Sequence, residues 1–207
     1  MKFIKFLSAI LVISFITGCA SKDEIQNQTA IVWHNKIYKS VVKNNLDKAD
    51  DYFTSLEVEH PNSKFIPIDL IILSNAHLKN QEYELAEFYM DEYYKRYANK
   101  YQREWADYQK AKIKFFSFYN AYTNQKSLDD TIKFVNKIID KYPNSPYIYE
   151  LNTIKEKLQD TKIVFNNKIA DLYKRIDKPK ASEIYHIDTN KPIIPPHIPW
   201  YKRLFYW

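Results

Sequence analysis

The chain carries one glycine, Gly18, and none from residue 19 to residue 207. Glycine is the residue that supplies left-handed backbone in tight hairpins and lets a backbone close on a phosphate, so its absence removes whole classes of structure. Phosphate-cradling loops of the GxGxxG or GxxxxGK type cannot be built, and nucleophile elbows and all-β folds are disfavoured. Helix is what remains.

The glycine belongs to a distinct N-terminal segment. MKFIKFLSAILVISFITG places Lys2 and Lys5 ahead of an apolar run from Phe6 to about Ile16. That run falls short of the roughly 20 apolar residues of a spanning helix and reads as a secretory signal. Cys19 follows at once and is the only cysteine, so it has no partner for an intramolecular disulfide in an oxidising compartment. ITGC resembles the lipobox of bacterial lipoproteins, which implies a lipid on Cys19, cleavage after Gly18 and anchoring without a membrane span. Ala20 and Ser21 stand where inner-membrane retention signals often place aspartate, so the resemblance points to the outer membrane. Loss of Lys2 and Lys5 lowers the formal charge from +6 to +4. That excess is small and interspersed with acids, which argues against nucleic acid.

Three middle segments share one interval. LDKADDYF leads to EHPNS, YELAEFYM to KRYAN, and LDDTIKFV to KYPNS. Each sets a small residue twelve positions before a helix stop: Ala49 to Pro61, Ala86 to Ala98, Thr131 to Pro143. Apolar residues recur three and four apart, as in Ile132, Val135, Ile138, Ile139 and Tyr142, which makes one buried stripe per helix. A small side chain lets paired helices approach closely, and the later proline forces the chain out of helix. Spacings of 37 and 45 residues between units fit an array of helical pairs. The pattern resembles the tetratricopeptide repeat, and Trp33 falls where that motif places tryptophan. The motif's turn glycine is missing from all three units. Beyond Pro146 the apolar pattern predicts one closing helix of about 31 residues, ~46 Å long, and KPKASEIY begins a fourth second-helix with Ala181 at the small position. The fold class is therefore all-α: a short solenoid of tetratricopeptide-like pairs with a long closing helix and an irregular C-terminal tail.

Lipobox, polar tether, HPNS and YPNSPY at helix ends and a long later helix together resemble the BamD family of outer-membrane assembly lipoproteins over about residues 16–185. The resemblance implies a non-enzymatic scaffold on the periplasmic face of the outer membrane. Its partners would be unfolded barrel clients, the barrel-forming subunit of the assembly machine, and the membrane through the lipid. A helical-repeat lipoprotein for another envelope task, such as peptidoglycan-linked organisation or secretin assembly, is the alternative reading. An enzyme is a third, disfavoured because no competent acid, nucleophile or metal group stands out.

Five histidines, at 34, 60, 77, 186 and 197, form no i, i+4 pair and have no companion cysteines. No metal or cofactor is expected. His34 and His77 read as partly exposed polar positions within helices. Asp50-Asp51 and Asp129-Asp130 complement helix N-termini rather than forming a catalytic pair. Binding is left, and in helical-pair arrays the first helices face the ligand. Counting back from the small residues assigns His34, Tyr38, Asn75, Asn120 and Thr123 to that face, where amides and aromatics suit an extended strand.

The tail, PPHIPWYKRLFYW, is stiffened by proline and ends in a basic, aromatic run. Trp200, Tyr201, Lys202, Arg203, Phe205 and Trp207 are assigned to docking on a partner or a membrane interface. The domain boundaries follow: 1–18 signal peptide, 19–28 lipidated cysteine and polar tether, 29–185 repeat domain, 186–207 tail.

Overall fold

The computed structural model of the chain describes residues 27–120 and 125–186. Among these residues there are eight helices and no strand: α1 (Ala30–Val42), α2 (Leu46–Glu59), α3 (Ile66–Lys79), α4 (Tyr83–Arg96), α5 (Lys100–Asn120), α6 (Gln125–Lys141), α7 (Ile148–Arg175) and α8 (Pro179–Tyr185). The chain divides into two compact units, Met1–Asp69 and Leu70–Trp207, with the division inside α3. Cys19, Thr123 and every assigned tail residue lie outside the described residues.

Without glycine, the turns between paired helices are made by residues that tolerate left-handed backbone less well. Asn44, Gln81 and Asp177 have φ of 55°, 65° and 56°. Each sits in the same Schellman-type stop. Asn44 N–H donates to Val41 O at 2.9 Å and Asn45 N–H to Ser40 O at 2.9 Å. Gln81 and Glu82 repeat this onto Leu78 O and His77 O at 3.1 and 2.9 Å, and Asp177 and Lys178 onto Lys174 O and Tyr173 O at 3.3 and 2.9 Å. Asn and Asp visit this region readily, whereas glutamine pays a Cβ clash there. Gln81→Gly is therefore expected to raise stability by about 0.5–1 kcal/mol, net of glycine's entropic cost, and Asn44→Gly by less. Urea denaturation followed by circular dichroism measures both, and a loss of stability in Gln81→Gly would contradict the assignment.

The small residue of each pair stands five positions past the left-handed residue: Asn44 to Ala49 and Gln81 to Ala86. Both alanines are wholly buried. The same count from Asp177 reaches Ser182, so the fourth pair is set one residue later than Ala181 suggests. Its second helix, α8, has seven residues and none of them buried. The closing helix α7 spans 28 residues, about three fewer than the periodicity predicts, because Tyr147 and Ile176 flank it at non-helical angles.

The proline loops also repeat. In HPNSKF, Ser63 N–H donates to His60 O and Ile66 N–H to Ser63 O, at 2.9 and 3.3 Å; in YPNSPY, Ser145 and Ile148 do the same onto Tyr142 O and Ser145 O, both at 3.1 Å. The second unit of the pattern, which has Ala98 in place of proline, stops differently. Asn99 caps α5 by accepting from Tyr101 and Gln102 N–H at 3.0 Å, and Gln102 Oε1 accepts from Asn99 N–H at 3.0 Å, which is a capping box.

In the first unit α1 packs on α2 around Trp33, Ile37, Ala49, Phe53 and Leu56. In the second unit consecutive helices from α4 to α8 pack pairwise, and α7 also crosses α5. Leu128, Val135, Leu151 and Leu158 are wholly buried at the centre of a core shared by α5, α6 and α7. One polar group bridges α5 and α6: Asp107 Oδ2 accepts from Lys141 Nζ at 2.9 Å and from Tyr142 Oη at 3.1 Å, while Lys141 reaches Tyr94 Oη at 3.3 Å. Burial pulls the Lys141 proton affinity down, but these bonds and the Asp107 charge outweigh it and hold the ammonium well above its ordinary range.

Candidate functional site

Five assigned ligand-facing residues distribute as follows. Tyr38, on α1, is 55 % exposed. Asn75, on α3, is exposed. His34 is not a free surface group: its Nδ1 lies 2.6 Å from Asp69 Oδ1, and its ring stacks on Phe65 at 4.7 Å and 16°. Asn120 ends α5, and Thr123 lies outside the described residues.

Asp69 is the partner that the sequence reading missed. It sits in the first turn of α3, in the apolar run IPIDLIIL, with 0 % exposure. Desolvation raises its pKa from 3.8 to about 6, against the hydrogen bond and charge of His34, which lower it. Its second oxygen, Oδ2, is buried without a hydrogen-bond partner. A histidine on a buried carboxylate is an oriented imidazole, the arrangement that positions a proton in hydrolases. The described partners of this ring are the Asp69 carboxylate and the face of Phe65.

His77 differs from its expected partial exposure: it is 1 % exposed, stacked on Tyr89 at 5.4 Å and paired through Nδ1 with Glu82. The Schellman-type turn explains this. His77 lies at the third position from the end of α3, where the turn folds Glu82 back over it. His60 also turns inward, its Nε2 2.6 Å from Gln28 O. Glu59 beside it accepts from Trp33 Nε1–H at 2.7 Å through one oxygen and from Asn27 N–H at 3.1 Å through the other. Those bonds, the Trp33 one first, hold the Glu59 carboxyl below its usual pKa. The last residues of the expected tether, Asn27 and Gln28, are thus strapped to the end of α2.

In the third repeat, counting forward from the helix stop gives a different register from counting back from Thr131. Asn75 is fourteen residues past Pro61, and fourteen past Ala98 is Lys112. The buried neighbours agree, since Ser74 and Ala111, each one position earlier, are 1 % and 0 % exposed. The unit spacing of 45 exceeds 37 by eight residues. Asn120 and Thr123 lie eight residues past Lys112 and Phe115.

Among the described residues no group of three His, Cys, Asp or Glu side chains could hold a metal, and no helix is long and apolar enough to cross a membrane. Consecutive helices that pack in pairs, with the long α7 late in the chain, define an all-α helical-repeat protein. The family model described as outer membrane lipoprotein, YfiO, matches residues 26–182. The outer membrane protein assembly factor BamD of Helicobacter pylori is 36 % identical over 99 % of this chain and 96 % of that protein. The protein of the same name from Caulobacter vibrioides is 22 % identical over 68 % of this chain and 48 % of its own length. The chain belongs to the BamD (YfiO) family of outer-membrane lipoproteins.

Proposed function

We propose that the chain is a non-enzymatic scaffold of the machine that inserts β-barrels into the outer membrane. It holds unfolded barrel proteins on the first helices of its repeats and docks on the barrel-forming subunit. The observation that carries this reading is the near full-length similarity to a protein named as an outer membrane assembly factor. The repeat fold supports it, because helical-pair arrays present extended binding surfaces. Lipid on Cys19 would keep the scaffold at the periplasmic face of the membrane where barrels insert. Only seven residues separate Cys19 from Asn27, the first residue strapped to α2, so the anchor can lie no more than about 30 Å of extended chain from the first unit. Tyr38 and Asn75 are the client-facing residues in this reading, with His34 held at the edge of that face by Asp69, and the tail from Trp200 to Trp207 docks on the barrel-forming subunit.

Depletion of the protein from cells tests the function. Levels of all porins in the outer membrane should fall together, as measured by quantitative mass spectrometry. Unchanged porins with a defect confined to one other envelope structure would favour the alternative task.

A further inference from the structure

Several described lysines of the second unit pair with acids on a neighbouring helix. Lys110 meets Asp91 at 2.6 Å, Lys114 meets Glu87 at 2.5 Å, Lys141 meets Asp107 at 2.9 Å and Lys162 meets Asp129 at 2.7 Å. Lys112 is half-buried, yet no described carboxylate lies within ion-pair distance of its Nζ. Its contacts are Gln109 Oε1 at 3.4 Å and the face of Tyr108 at 5.7 Å, and Tyr108 is itself stacked flat on Tyr147 at 4.6 Å. Neighbours one turn away on the helix, Tyr108, Gln109, Phe115 and Phe116, include no acid. Desolvation alone pulls its proton affinity below that of an ordinary lysine, and no neighbouring negative charge restores it.

A half-buried ammonium without a counter-ion is unfavourable for the fold taken by itself. It stands at the repeat position that Asn75 occupies on α3. We propose that Lys112 reads a carboxylate on a polypeptide bound to the second unit. This rests on the reading of the chain as a polypeptide-binding scaffold and specifies the chemistry of what it binds. Phe116, one turn further along α5 and 42 % exposed, adds an apolar contact. One helical turn is about 5.4 Å, and side chains on one face of an extended strand repeat every ~6.6–6.8 Å, so an acid and an apolar residue two apart on a strand can meet Lys112 and Phe116 together.

Three fluorescein-labelled strand peptides of alternating Val and Thr test this by anisotropy against the full chain. One has a central Glu and an amidated end, the second has Gln in its place, and the third has Gln with a free C-terminal carboxylate. The wild type should bind at least one carboxylate peptide about tenfold tighter than the amidated Gln peptide, the size expected of one charge-assisted bond. Which peptide gains tells whether the carboxylate is a side chain or a chain end. In Lys112→Met that preference should vanish while Gln-peptide affinity stays the same, and Lys112→Arg should keep most of it. Binding of all three peptides with no preference, or a preference that survives Lys112→Met, overturns the inference alone. No binding of any peptide overturns the scaffold reading beneath it.

Discussion

Trp33→Ala should lower the stability of the first unit by about 3–5 kcal/mol, the usual range for removing a fully buried tryptophan. Trp33 is 0 % exposed and stands between α1 and α2, with Tyr52 at 5.8 Å and the Lys36 ammonium 4.8 Å over its ring. The substitution leaves a cavity that two short helices cannot close and removes the bond to Glu59. Loss of that bond adds little, because Glu59 can turn to water. Cavity formation dominates, so Trp33→Phe, which keeps most of the volume, should cost less than half as much. Thermal unfolding followed by circular dichroism should show the first transition of Trp33→Ala lowered by roughly 10 °C for a chain of this size. A shift within 2 °C of wild type would mean that the α1–α2 packing is wrong.

Replacing residues 1–19 with a cleavable signal that carries no lipidation cysteine should release the protein from the membrane completely. Each buried methylene contributes about 0.8 kcal/mol, and anchoring is stable only when two or more acyl chains act together. The chain has no second cysteine to take the lipid over. Fractionation should find the variant in the soluble periplasm and the wild type in the detergent-soluble membrane. If the variant stays with membranes through a high-salt wash, a second anchor is present, and the aromatic tail from Trp200 to Trp207 becomes the segment to delete.

The array was legible in the sequence because each repeat is set by residues whose effect is local. Ala49 and Ala86 are buried where the twelve-residue interval places them, and the two PNS loops close with the same bonds. Replacement of the turn glycine was not legible. Asn44 and Asp177 have a known tolerance for left-handed backbone, but Gln81 does not, and only the repeated bond pattern reveals it. His77 was misplaced for the same reason, since its burial follows from the turn that Gln81 makes. The Asp69 partner of His34 had a signal, a lone acid in IPIDLIIL, but its pairing depends on packing between helices 35 residues apart in sequence. Lys112 was hidden by the eight-residue excess of the third unit.

The central claim is membership of a working barrel-assembly machine, and one measurement addresses it most directly. The full-length protein is isolated from solubilised outer membranes by an affinity tag inserted ahead of residue 187, and its partners are quantified by mass spectrometry. The barrel-forming subunit should be recovered in near-equal amount. Recovery of the protein without that subunit, under conditions in which other outer-membrane complexes stay intact, would contradict it.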